Sequence, residues 1–206
     1  MKSSFKSIIP ENKKGKRTDI EHSITAHDKN EALTIFKTSV KRMLNINIWH
    51  KLAGIASAHF SLTDISGKEV QRLAALGDFI KIDIHGPGPS SGNGFDWVNI
   101  ETLEDNSNPN GEEESVAMRL RPSSQPGEQS SNAAHFFTKE ATSTFIIYRK
   151  QNIITSFYHG RNEMLNADTE KITDNVRNFI MGGVALAGVS EMQWTALIKS
   201  FLQEDA

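Results

Sequence analysis

Residues 77–100 read GDFIKIDIHGPGPSSGNGFDWVNI, two strand-like runs flanking a loop of glycine and proline. In the first run Ile80, Ile82 and Ile84 alternate with Lys81 and Asp83, the two-residue period of a half-buried strand. The second, from Phe95 to Thr102, sets Val98 and Ile100 on one face and Phe95, Trp97 and Asn99 on the other. Neither a strand nor a helix runs through Gly86, Pro87, Gly88, Pro89, Gly92 and Gly94, so the segment between is a loop at one end of a sheet.

Upstream, Ala58 to Thr63 alternates as a strand and DISGK (64–68) is a turn; Glu69 to Leu76 fits a helical turn or irregular chain. Asp28 opens a helix: its carboxylate is placed to accept first-turn amides, and Glu31 completes a capping-box pattern. Ala32, Ile35, Phe36, Val40, Met43 and Leu44 form its apolar stripe, Asn45 and Asn47 end it, and Trp49 and Leu52 are core anchors. Ile20 to Thr25 makes a short first strand. Residues 1–18 carry Lys2, Lys6, Lys13, Lys14, Lys16 and Arg17 against Glu11 alone, which predicts a disordered basic tail before a single domain at 19–206.

Downstream, ETLEDNSNPNGEEE (101–114) has carboxylates without the calcium-loop spacing and reads as a solvated acidic loop. Val116, Met118 and Leu120 alternate with Ala117, Arg119 and Arg121, a strand with a basic outer face. PSSQPGEQSSN (122–132) is low-complexity and turn-rich. Thr144–Arg149 and Ile153–His159 form a hairpin. A turn centred on Gln151 and Asn152 sets Tyr148 opposite Thr155, Ile146 opposite Phe157 and Phe145 opposite Tyr158. Apolar residues on both faces predict a ribbon covered on both sides. Ile172, Val176, Phe179, Ile180, Gly183 and Ala187 make a helical stripe capped at Gly188. A second capping box, Ser190 with Gln193, starts a helix with Trp194, Leu197, Ile198, Phe201 and Leu202 on one side.

These elements predict an α+β fold: a mainly antiparallel sheet of six or seven strands with an N-terminal helix and a helical C-terminus. The order is similar to that of the helix-grip folds, in which a curved antiparallel sheet wraps a long C-terminal helix around a ligand cavity. The similarity lies in element order alone, and no site residue is carried over from it.

Composition narrows the function. With 23 basic and 25 acidic residues the net charge is −2, which argues against general nucleic-acid binding. There is no cysteine, hence no disulfide, thiolate metal site or Cys nucleophile. No apolar run reaches the roughly 20 residues of a membrane helix, and the start lacks the apolar run of a signal peptide, so the expected location is cytoplasmic. The seven histidines show no HExxH or clustered spacing, so no metal site is expected; no motif calls for a cofactor. No serine sits in a GxSxG elbow.

The candidate ligand-binding residues are His159, Arg161, Asn162 and Glu163 at the end of the strongest strand, with His85, Asp96 and Trp97 around the glycine-rich loop. His and Glu are a usable acid–base pair, and Arg clamps a carboxylate or phosphate. Period-2 geometry, however, points sequence neighbours in opposite directions while the strand lasts. The loop lacks the Lys-Ser/Thr of a P-loop and is followed by a strand. His85 and Asp96 bracket its neck. Three functions compete: a non-catalytic module binding a small apolar or amphipathic ligand between sheet and C-terminal helix; an interaction protein engaging a protein partner through its basic arm, acidic loop and Gly/Pro loop; and an acid–base enzyme using His159, Arg161 and Glu163.

Overall fold

A computed structural model of the chain describes residues 7–54, 58–83, 92–128, 133–166 and 191–203. Its elements are β1 (Lys16–Thr25), α1 (Lys29–Leu44), a 3-10 turn (Ile46–Ile48), α2 (Trp49–Ala53), β2 (His59–Thr63), β3 (Phe79–Asp83), β4 (Asp96–Asn106), β5 (Glu113–Pro122), β6 (Thr142–Lys150) and β7 (Ile153–Glu163). A last helix, α3, is described over 191–202. The seven strands form one antiparallel sheet in the order β1-β7-β6-β5-β4-β3-β2. Strand, helix, six further strands and a terminal helix is the helix-grip order expected from the sequence. Within the expected C-terminal pair of helices, 167–190 lie outside the described residues.

The hairpin register follows from its turn. Lys150 pairs with Ile153, leaving Gln151 and Asn152 as the connection, with Gln151 at φ 54°. Tyr148 then faces Thr155, Ile146 faces Phe157, and Phe145 faces Tyr158, as expected. Asp28 caps α1 by accepting from the Asn30 and Glu31 amides, and the Glu31 carboxylate accepts from the His27 amide.

The sheet has two covered faces. On the inner face Ile80, Ile100, Met118, Phe145 and Ile154 pack with Phe36 and Met43 of α1, Trp49, and Leu197, Ile198 and Phe201 of α3. Trp49 stands 5.5 Å from Phe60, 5.0 Å from Phe145 and 6.0 Å from Phe201 between ring centroids, so this part of the interior is filled with aromatic side chains. The outer face carries a smaller cluster of Ala117 and Ile146, with Tyr148 and Phe157 beside it, covered by Ile8.

That cover corrects the expected tail from residue 7 onward; residues 1–6 of it lie outside the described residues. The chain from residue 7 to 14 is a strap across the outer face: Ile8 is 1% exposed, and its carbonyl accepts from Arg119 Nη1 at 2.7 Å. Burying one isoleucine is worth roughly 1.5–3 kcal/mol, enough to hold a short segment that charge alone would leave in solvent. The strap turns at Gly15, φ 80°, where a Cβ would meet Met164 Cγ at 2.6 Å, and β1 begins at Lys16 rather than near Ile20.

The acidic loop is corrected as well. Glu114 is buried with the Arg149 guanidinium, which is 0% exposed; Nε donates to Glu114 Oε1 at 2.6 Å, and the other nitrogens reach the carbonyls of Gln151, Asn108 and Gly111. Glu101 sits at a register shift of β4 and accepts from both Arg119 and Arg121. Among the described residues no helix is long and apolar enough to cross a membrane.

Candidate functional site

The strand order brings the ends of β4, β5, β6, β7 and β1 together at one edge of the fold, and the pleat there sorts the candidate residues between the two faces. His159, opposite Asp19 of β1, lies on the outer face with Phe157, ring centroids 5.7 Å apart. Its Nδ1 lies 2.6 Å from Asp19 Oδ1. A carboxylate only accepts, so Nδ1 carries the proton of this bond. Arg161, 6% exposed, donates from Nη2 to the same oxygen at 2.5 Å and from Nη1 to the carbonyls of Thr18 and Gly160. Arg17 Nε donates to Asp19 Oδ2.

Burial pushes the Asp19 carboxyl up, but the hydrogen bonds from His159, Arg161 and Arg17 together outweigh it and hold the group down to about 2. His159 goes the other way from its carboxylate partner's pull: burial dominates and lowers its pKa, so the ring is neutral at pH 7. Asp19 thus has a full set of donors. Nothing local marks it, because it lies 140 residues from His159 along the chain.

Glu163 is on the inner face. Asn162 adopts φ 55°, a left-handed turn that breaks the strand alternation and swings the next side chain back over Gly160. A Cβ on Gly160 would crowd the end of the Glu163 side chain, so glycine here leaves the carboxylate its place and any larger residue would displace it. There Glu163 Oε2 accepts from Thr18 Oγ1 at 2.7 Å and Oε1 from the Tyr158 hydroxyl at 3.2 Å. Ser143 Oγ lies 3.1 Å from the same phenol oxygen; with the phenolic proton directed to Glu163, Ser143 is the donor. Burial raises the Glu163 carboxyl above its ordinary value, against the opposing Thr18 and Tyr158 hydrogen bonds. Burial likewise keeps the Tyr158 phenol protonated. Trp194 of α3 stacks on Tyr158, centroids 5.4 Å apart at 21°.

Asp96 shares the inner face with Val98 and Ile100 by the two-residue period of β4, at the same edge of the fold as Glu163. It is 3% exposed, accepts from the Phe136 amide at 2.7 Å, and burial pushes its pKa up to about 6. Trp97 points to the opposite face, buried, with Nε1 donating to Gly92 O at 3.3 Å. His85 lies outside the described residues. Of the sequence candidates, then, Glu163 and Asp96 share the inner face. His159 and Arg161 share the outer one with Asn162, whose side chain binds the strap.

An outer groove of about 630 Å³ opens beside the strap, lined by Pro10, Lys13, Lys14, Arg121, Asn162 and Met164 among others. Arg121 and Asn162 are already committed there, to Glu101 and to the strap backbone. Among the described residues no group of three or more His, Asp or Glu side chains is placed to hold a metal ion.

No protein-family model matches the chain, and no curated protein matches it. Among solved structures it is similar to Ara h 8.0201, at 12% identity over 88% of this chain and 99% of that one, TM-score 0.33. It is similar also to norcoclaurine synthase from Thalictrum flavum in complex with dopamine and hydroxybenzaldehyde, at 12% identity over 88% and 87%, TM-score 0.33. A protein from Arthrobacter aurescens gives 14% identity over 92% and 87%, TM-score 0.37. Similarity at this level carries no activity or ligand over to this chain.

Proposed function

We propose that the protein is a non-catalytic module that binds a small amphipathic ligand on the inner face of its sheet. The apolar body of the ligand lies against the inner side chains, and a hydroxyl or ammonium end donates to Glu163. The observation that carries this reading is the placement of the Glu163 carboxyl: it is set down over Gly160 on the face that carries the apolar core, with Tyr158 and Thr18 orienting its oxygens. Burying a carboxyl costs several kcal/mol unless it is neutralised or hydrogen-bonded, and such groups cluster where function needs them. Two donors leave acceptor capacity on a carboxylate, which offers up to four lone-pair positions. Asp96 adds a second buried carboxyl at the same edge. Acid–base catalysis by His159 and Glu163 on one substrate is disfavoured, because the sheet stands between them.

The test uses decylamine and decanoate below their micellar concentrations and 1-decanol below its solubility limit, followed by tryptophan emission, since Trp194 stacks on the phenol that holds Glu163. Saturable change with decylamine and 1-decanol, weak response to decanoate, and about tenfold weaker decylamine binding in E163L support the reading. Equal binding of decanoate, unchanged affinity in E163L, or no saturable change overturns it.

A further inference from the structure

The strap on the outer face and the carboxyl on the inner face meet at one residue. Asn162 Oδ1 accepts from the backbone amides of Lys13 and Lys14, at 2.7 and 3.2 Å, and its Nδ2 donates to the Glu11 carbonyl at 3.1 Å. Its own amide donates to Asn12 Oδ1 at 2.7 Å. Four hydrogen bonds therefore tie this side chain and backbone to four successive strap residues. The same residue makes the left-handed turn that delivers Glu163 to Gly160. Asparagine enters this region more readily than most residues, yet still at a cost that outside contacts must offset. Here the strap supplies four such contacts at Asn162 itself, beside the Lys16–Glu163 ladder pairing and the Thr138 amide on the Met164 carbonyl.

Next along the strap, a Cβ on Gly15 would lie 2.6 Å from Met164 Cγ and 2.8 Å from the Glu163 carbonyl oxygen, so the chain passes close to the end of β7 there. Lys16 then pairs with Glu191 of α3 at 2.7 Å, linking the strap's exit to the helix that covers the inner face.

We infer that Asn162 is a positioning residue for Glu163: the docked strap holds its left-handed turn, and release of the strap withdraws the carboxyl from the inner face. This rests on the reading of the inner face as the ligand site and adds its regulation. The outer groove runs beside this clamp, so a change at the outer surface is transmitted through one turn of backbone to the buried carboxyl. The strap is thereby a control element rather than a passive cover.

Two variants separate the clamp from the turn. N162G keeps access to φ 55° and removes the side-chain clamp; N162A removes the clamp and disfavours the turn. Amide exchange at Lys13 and Lys14 reports the strap, and carboxyl carbon chemical shifts followed against pH report Glu163. The expected result in N162G is roughly tenfold faster exchange of the two amides, in line with two lost hydrogen bonds. The Glu163 pKa moves down toward the ordinary carboxylate range as the group reaches solvent. N162A moves Glu163 further in the same direction. Faster exchange with an unmoved Glu163 overturns the coupling, as does a strap that stays protected in both variants. A Glu163 that shifts as expected in a protein that never bound decylamine leaves the coupling standing and removes the ligand reading instead.

Discussion

Asp19 on the edge strand β1 and His159 on its neighbour β7 share a hydrogen bond of 2.6 Å, and Arg161 meets the same carboxylate oxygen at 2.5 Å. The arrangement resembles an acid–base dyad in outline, yet Arg17 and Arg161 also claim the carboxylate, and Arg161 is fastened to two backbone carbonyls. Its effect is to pin an edge strand, which otherwise has a partner on one side only.

D19N should therefore loosen β1. Asp19 is held down to about 2 from an ordinary 3.8, so its contribution is present above pH 3.8 and is lost as the pH falls through about 2. The variant should melt several degrees below wild type at pH 7 and converge with it below about pH 2. Equal melting temperatures at pH 7 would remove the pinning role.

Asp96 carries the opposite sign. Its folded pKa is raised to about 6, so the stability it permits is complete below pH 3.8 and declines as the pH rises through about 6. D96N, still able to accept from the Phe136 amide, should gain up to about 3 kcal/mol at pH 8, from a rise of roughly two pH units at about 1.4 kcal/mol each. At pH 3 the two proteins should match. A loss at pH 8 in chemical denaturation would show that the ionised carboxylate is stabilising.

His135 governs the acid side. Its ring is buried and its Nδ1 accepts from the Phe137 amide at 2.9 Å; burial lowers the pKa to about 3. Stability from the neutral ring is present above pH 6.5 and is lost as the pH falls toward 3. H135N should flatten denaturant midpoints between those limits. A midpoint slope identical to wild type would mean that the ring is not buried neutral.

The buried pair of Arg149 and Glu114 gives the largest expected effect. R149M leaves a carboxylate buried without its counter-charge and should cost about 3–5 kcal/mol, while R149M/E114Q should recover much of that loss. Additive losses in the double variant would place the two groups in solvent-screened surroundings.

The register of the β6–β7 hairpin was legible because a two-residue turn at Gln151 and Asn152 leaves one alignment that keeps Phe145 and Tyr158 together. The inner stripe of Val116, Met118 and Leu120 was legible for the same reason of period. The site was only half legible. Alternation warned that residues 159–163 would divide between faces, but nothing local marked Asn162 as the left-handed residue that returns Glu163 to Gly160. Asp19 reaches His159 through strand pairing at long separation, which composition does not encode. Six basic residues masked Ile8, whose burial under no local periodicity turns the expected tail into a strap. A run of three glutamates likewise concealed that its last member faces inward with Arg149.

Intermolecular nuclear Overhauser effects between decylamine and the isotope-labelled protein test the central claim most directly, since they report which face of the sheet the ligand touches. The account predicts contacts from the methylene next to the ammonium to the Tyr158 ring and the Thr18 methyl, lost in E163L. Contacts confined to Phe157, His159 or the strap, or no contacts at saturating decylamine, would contradict it.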